Sequence, residues 1–161
     1  MKIYETNVEA GTKQWLKIPV DEECSLKAAA FCGSRPGKRL IVTAGVHGCE
    51  YIGILAVSRL IQELDPRQMK GEVVFLPIAN EGGFYKEIKQ LVPEDGVNLN
   101  RAFPGTEMGS RSAKIAAAVE TYLYPDADFL VDLHSGDIHE MVVPFAFFPV
   151  AAGETVEKKA V

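Results

Sequence analysis

Two histidines and one glutamate have the types and the spacing of a metal-binding set. His47 and Glu50 stand three residues apart in the segment GVHGCE, and His134 lies far downstream in the segment DLHSGD. Two imidazoles, one carboxylate and a fourth position left to water form a known catalytic zinc site. Zinc in such a site activates its bound water by lowering the pKa of that water to about 7. A histidine of this kind is also often a hydrogen-bonded structural residue, so the spacing by itself leaves both interpretations open.

Predicted strands and helices would bring these residues to one place. Three apolar runs are typical of buried strands: residues 39–44, 72–79 and 129–133. Two segments have helical periodicity: residues 51–64, and residues 112–123 with a serine as the expected cap. This alternation predicts an α/β fold with a mainly parallel or mixed sheet flanked by helices. Ligands of such sheets bind beyond the carboxyl ends of the strands, where His47 and His134 lie, and Gly45 and Gly48 would allow the sharp turn this requires.

The segment between residues 80 and 109 is the longest irregular part of the sequence. Loops of that length in a compact domain are usually functional or disordered. Asn100 and Arg101 stand side by side within it, in PEDGVNLNRAFPG. An arginine on a loop beside a metal site suits bidentate binding of a substrate carboxylate. Most arginines on such loops are solvated surface residues, so the loop by itself leaves this role open.

Composition restricts the class of protein. The chain has 161 residues, 47% hydrophobic and 24% charged, with a formal net charge of −5, which is ordinary for one globular domain. A nucleic-acid binder normally has a basic face, and a membrane span needs roughly 18 consecutive apolar residues, so both classes are disfavoured. The N-terminal segment lacks the apolar core of a secretory signal. Because the three cysteines are odd in number and have no CxxC spacing, we expect a cytoplasmic protein without disulfides.

Three segments in a fixed order carry a resemblance to a known family. They are GSRPGKRLIVTAGVHGCEYIG, PEDGVNLNRAFPG and FLVDLHSGD, and they extend from about Gly33 to Asp137. Together they resemble the succinylglutamate desuccinylase/aspartoacylase family, a branch of the zinc carboxypeptidase superfamily. The resemblance implies a carboxypeptidase-like α/β fold. It also implies hydrolysis of the amide bond of small N-acyl amino acids by zinc-activated water.

The resemblance also implies a role for individual residues. The ligands of one Zn²⁺ per chain would be His47, Glu50 and His134. Asn100 and Arg101 would bind the carboxylate of the amino-acid substrate. Asp132 would lie beside the metal and orient a ligand imidazole, a role that fixes the tautomer of the ring.

Two features depart from the family pattern. Members usually carry an arginine shortly before the PxDGxNLNR segment, where it stabilises the oxyanion, whereas residues 86–93 contain none and offer Lys89 as a substitute cation. The general-base glutamate of the family lies well downstream of the third ligand. The glutamates that follow His134 here match no such motif: Glu140, Glu154 and Glu157. We therefore expect the base beyond residue 161, and an apparent helix start over residues 154–161 indicates a truncated chain.

These observations predict one catalytic domain over residues 1–161, incomplete at its C-terminal end, in which residues 1–36 form short strands leading into the core sheet. The expected activity is that of a zinc-dependent deacylase, which the 161-residue chain alone would perform poorly or not at all. Two alternatives stay open. The chain could belong to a metallocarboxypeptidase acting on peptides, or it could bind zinc without catalysis.

Overall fold

Residues 1–147 are described by a computed structural model and form nine strands and three α-helices. The strands are β1 (Lys2–Ile3), β2 (Thr6–Asn7), β3 (Thr12–Pro19), β4 (Ser25–Cys32), β5 (Arg35–Ala44), β6 (Lys70–Leu76), β7 (Leu91–Val92), β8 (Val97–Asn98) and β9 (Phe129–Leu133). The helices are α1 (Tyr51–Glu63), α2 (Glu81–Tyr85) and α3 (Arg111–Tyr122), with two 3₁₀ turns, Pro66–Gln68 and Leu99–Arg101. None of these helices is long and apolar enough to cross a membrane.

Five strands form the central sheet, in the order β3-β4-β6-β5-β9. β5 pairs in parallel with β6 and β9, whereas the β3–β4 and β4–β6 pairs are antiparallel. The expected mixed α/β fold is therefore confirmed. The parallel pairs place the carboxyl ends of β5 and β9 at the same edge, as the sequence predicted for His47 and His134.

Side chains of alternate residues fill the core on both faces of the sheet. Ile41 belongs to one buried cluster with Ile115 and Val119 of α3, whereas the adjacent Val42 belongs to a second cluster with Val57 of α1. This alternation follows from the two-residue period of a strand. The helices α1 and α3 thus cover opposite faces, and the sheet between them carries the strand ends.

Strand β9 has the predicted bounds but is not buried as predicted. Phe129, Leu130 and Val131 are 41%, 49% and 42% exposed. The strand pairs with β5 on one side, and within residues 1–147 no strand pairs with its other side. An apolar sequence typical of an interior strand therefore lies at a sheet edge in the described part of the chain.

The segment from residue 80 to 109 is more ordered than its sequence indicated, because it contains α2, the β7–β8 hairpin and a 3₁₀ turn. It is joined to α3 through Asp95. That carboxylate accepts hydrogen bonds from the backbone N of Ser112 at 2.7 Å and from the Ser112 hydroxyl at 2.6 Å. A serine, Ser110, occupies the N-cap position of α3 as expected, but its side chain makes no capping bond. Asp95 accepts the hydrogen bond from the first turn instead.

Replacing Asp95 by alanine should therefore lower the free energy of unfolding by about 1 kcal/mol, the usual contribution of a helix cap. Burial acts to raise the pKa of Asp95, but the hydrogen bonds from Ser112 outweigh it and lower that pKa. A lowered folded-state pKa stabilises the protein above the unfolded-state pKa, and this contribution disappears as the pH falls through the folded value. Urea unfolding of the parent and of Asp95→Ala, at pH 7 and at a pH below 3.8, measures the difference in their free energies of unfolding. Glu94→Ala, at the neighbouring position, is the control; an equal loss there, or no loss in Asp95→Ala, would contradict the capping role.

Candidate metal centre

His47 lies in the loop that follows β5, and two glycines of this loop have special backbone geometry. Gly45 has φ +62°, a left-handed conformation that L side chains adopt with strain. Gly48 has a different role, since a Cβ atom at this position would lie 2.3 Å from the carbonyl carbon of Gly83 in α2. The two glycines predicted to permit the turn do so by positive φ in one case and by close backbone approach in the other. His47 is 8% exposed.

The three predicted ligands converge on one point. Nδ1 of His47 lies 2.7 Å from Oε1 of Glu50, and Nδ1 of His134 lies 2.8 Å from Oε2 of the same carboxylate. One ligand atom from each of the three residues can be chosen so that all lie within 4.8 Å of one another. The ends of β5 and β9 thus bring His134 to His47 and Glu50, although His134 is 84 positions from Glu50 in the sequence.

The outer nitrogen of each imidazole is held by a separate acceptor. Nε2 of His47 lies 3.1 Å from Oδ1 of Asn98, and Nε2 of His134 lies 2.8 Å from Oδ2 of Asp132. Because a carboxylate only accepts hydrogen bonds, Nε2 of His134 donates to Asp132. Both rings therefore turn Nδ1 toward the centre of the site. Asp132 occupies the orienting position that the resemblance implied.

Charge is concentrated at this point. Burial acts to raise the pKa of Glu50, but hydrogen bonds from His134, His47 and the backbone N of Ser135 lower it to about 2. Hydrogen bonds to Asp132 and Glu50 raise the pKa of His134 to about 10 against the opposing effect of its burial. At neutral pH the His134 side chain is thus an imidazolium between two carboxylates. A metal ion binding at its Nδ1 must displace a proton.

The donor set fits a divalent metal of zinc type. Two imidazole nitrogens and one carboxylate are the ligands found in His₂Glu catalytic zinc sites. The oriented Nε2 atoms match the outer hydrogen bonds that metal-bound histidines usually make. Glu50 is further held by the backbone N of Ser135, which donates to Oε2 at 2.9 Å.

Asn100 and Arg101 lie on the 3₁₀ turn anchored by the fully buried Leu99. Nη1 of Arg101 donates to the backbone oxygen of Asn100 over 3.2 Å, and the guanidinium is exposed. The ion pairs within residues 1–147 do not include Arg101 and instead involve Arg39, Arg59, Arg67 and Arg111. Asn100 lines a cavity of about 260 Å³ together with Thr43 and Asp132. Asn100 is thus in the same cavity as the carboxylate that holds His134, and Arg101 is the next residue on the turn, with no ion pair among the described residues.

Lys89 lies near the loop that follows His134. Its Nζ is 2.7 Å from Oδ2 of Asp137, and this hydrogen bond raises the pKa of Lys89. Glu140 is exposed in the same loop, and its backbone N donates to the carbonyl of Asp137 over 3.2 Å. The roles considered for Lys89 and Glu140 stay predictions. Glu154 and Glu157, with the helix expected over residues 154–161, lie outside the described residues.

Sequence reasoning missed Asn98. This residue connects the candidate metal ligand His47 with the turn that carries Asn100 and Arg101. Its Oδ1 contacts Nε2 of His47 and also accepts from the backbone N of Asn100 at 2.9 Å. One oxygen therefore contacts both the ring of His47, a candidate metal ligand, and the turn that carries Arg101. The available signal was an asparagine directly before a short helical turn, a position where this residue commonly accepts a backbone hydrogen bond.

The described residues form an α/β sheet with a candidate His₂Glu donor set at the ends of two parallel strands, and comparisons with known proteins show the family of the chain. The model of the succinylglutamate desuccinylase/aspartoacylase catalytic domain matches residues 36–160. The chain belongs to this family. N-alpha-acetyl-L-2,4-diaminobutyric acid deacetylase of Halomonas elongata is 35% identical over 137 residues, which are 82% of this chain and 40% of that protein.

Solved structures give the same result. An aspartoacylase family protein from Mesorhizobium loti aligns with a TM-score of 0.67 at 35% identity, over 77% of this chain and 40% of that one. The product-bound ectoine utilization protein EutE (DoeB) from Ruegeria pomeroyi aligns with a TM-score of 0.67 at 29% identity, over 78% and 40%. The chain thus spans about 40% of the length of these relatives.

Proposed function

We propose that this chain carries the metal site of a zinc-dependent deacylase that hydrolyses the amide bond of small N-acyl amino acids. The observation that carries the proposal is the convergence of His47, Glu50 and His134, with Nδ1 of both imidazoles turned toward Glu50. The Halomonas elongata relative is a deacetylase of an acetylated amino acid, which supports this substrate class.

Each residue of the site has a separate task in this proposal. Zinc held by His47, Glu50 and His134 would act as a Lewis acid and lower the pKa of its bound water to about 7. Asn98 and Asp132 keep the two imidazoles oriented through their Nε2 atoms. Those hydrogen bonds limit ring rotation and so preserve the aim of Nδ1.

In this proposal the substrate binds to the 3₁₀ turn Leu99–Arg101. Arg101 offers a planar guanidinium that forms no ion pair within residues 1–147, and it suits bidentate binding of a carboxylate. Asn100 lines the cavity shared with Asp132 and can donate its amide to the same carboxylate. Lys89 is proposed to stabilise negative charge on the acyl oxygen, supported by its contact with Asp137, three residues after His134.

The state of the cysteines bears on the proposed cellular compartment. All three cysteines are free thiols in the described structure, and Cys32 and Cys49 are buried. Free cysteines are typical of a reducing compartment. These thiols support our proposal of a cytoplasmic protein whose partner molecule is a small acylated amino acid.

The test is a screen of N-acetyl and N-succinyl amino acids with the natural full-length protein, loaded with zinc and followed by amine release. We expect hydrolysis of at least one N-acyl amino acid and no hydrolysis after chelation. Cleavage confined to peptides with a free C-terminus would identify a metallocarboxypeptidase instead. Zinc bound without hydrolysis of either substrate class would indicate a metal-binding domain without catalysis.

Arg101→Lys should separate substrate binding from metal binding. The lysine keeps the charge but loses the bidentate fork, so KM for the N-acyl amino acid should rise while the zinc content is unchanged. Steady-state kinetics on the substrate and on its carboxamide analogue measure the effect. Arg35→Lys is the matched control, because Arg35 is exposed and lies at the far end of β5. If replacing the carboxylate by carboxamide weakens the parent and Arg101→Lys equally, Arg101 does not bind that group.

A further inference from the structure

The hydroxyl of Thr43 makes a hydrogen bond that the site described so far does not use. Its Oγ1 lies 2.6 Å from Oδ1 of Asp132, and Thr43 is 2% exposed. Because the carboxylate only accepts, the threonine hydroxyl donates. A buried group thus holds one oxygen of Asp132, while the other oxygen holds Nε2 of His134.

The bond crosses between the two strands that deliver the metal ligands. Thr43 and Asp132 are direct partners in the parallel register of β5 and β9. β5 leads into the loop of His47, and β9 ends one residue before His134. The hydrogen bond therefore ties the strand ends together at the level of the site.

Asp132 needs such an anchor. Its side chain is 31% exposed, whereas that of Glu50 is 12% exposed. A partly exposed carboxylate on an edge strand has several rotamers available, and only some of them present an oxygen to His134. A fixed donor on Oδ1 restricts the carboxylate to the orientation in which Oδ2 faces Nε2.

We propose that Thr43 is a positioning residue of the metal site. Through Asp132 it holds His134 with Nε2 outward and Nδ1 toward the metal, an inference that rests on the proposed zinc function. Outer partners of metal-bound histidines typically contribute 10–100-fold to metal affinity. Since Thr43 acts one hydrogen bond further out, removal of its hydroxyl should weaken zinc binding by about tenfold, the lower end of that range.

The test compares Thr43→Val, which is nearly isosteric and lacks the hydroxyl, with Thr43→Ser, which keeps it. Zinc affinity is measured by competition with a chelator, and the Nε2 proton of His134 is followed by NMR in the zinc-loaded chains. We expect weaker zinc binding and a faster-exchanging Nε2 proton in Thr43→Val. In Thr43→Ser, the zinc affinity and the proton exchange rate should be close to those of the parent. If Thr43→Val does not fold, as judged by circular dichroism, Thr43→Ala takes its place.

Three results would overturn the inference. Zinc affinity and Nε2 proton exchange in Thr43→Val equal to those of the parent would show that the hydroxyl positions nothing. Equal losses in Thr43→Val and Thr43→Ser would assign the effect to packing of the threonine methyl group. A parent chain that binds no zinc would remove the proposed function itself, and this inference with it.

Discussion

Replacing His134 by alanine should reduce bound zinc from one ion per chain to none. In the proposed site the imidazole provides one of three protein ligands, and its loss would leave a two-ligand site that cannot hold zinc through dialysis. His47→Ala should have the same result for the same reason. Elemental analysis after dialysis against metal-free buffer measures the content, and circular dichroism checks that the fold survives.

His139→Ala is the matched control for these variants. His139 is exposed five residues after His134 and makes no contact with the donor set among the described residues. It should retain one zinc per chain. Full zinc content in either His47→Ala or His134→Ala would show that the ligand assignment is wrong.

The second large effect concerns turnover. The zinc-loaded 161-residue chain should hydrolyse the N-acyl amino acids of the proposed screen slowly, without the acceleration of about 10²–10⁴-fold that a positioned general base contributes. Two carboxylates lie at the donor set within residues 1–147, and both are engaged. Glu50 contacts both ligand imidazoles, and Asp132 contacts His134 and Thr43. Glu50 and Asp132 could therefore take a proton from water only by breaking these hydrogen bonds.

Glu140→Gln tests the glutamate that follows His134 most closely in the sequence. Glu140 is exposed, so its replacement should leave the residual rate of the 161-residue chain unchanged. Glu107→Gln, at another exposed position, is the control. Rapid hydrolysis of an N-acyl amino acid by the 161-residue chain, lost in Glu140→Gln, would contradict the expectation and make Glu140 the base.

The sequence was informative where local pattern and topology act together. Apolar runs and helical periodicity indicated the strands and helices, and the rule that ligands bind beyond the carboxyl ends of strands predicted that His47 and His134 lie at one edge of the sheet. The prediction that β9 is buried was wrong because burial depends on neighbours. A run such as Phe129–Leu133 is equally apolar at an edge or in the interior of a sheet.

Residues that act through others were harder to predict. Thr43 lies in an apolar strand, where threonine is an ordinary β-branched residue, and its contact with Asp132 exists only through the register of β5 and β9. Asn98 contacts His47 across 51 positions of sequence. Such contacts follow from the packed fold, whereas the ligands themselves are recognisable by residue type.

The measurement that tests the central claim most directly is a crystal structure of the zinc-soaked protein with anomalous data at the zinc edge. We expect one strong peak at about 2.0–2.2 Å from Nδ1 of His47, Nδ1 of His134 and a carboxylate oxygen of Glu50. The Nε2 atoms should still contact Asn98 and Asp132. A peak elsewhere, or ligation through Nε2 of either histidine, would contradict the account.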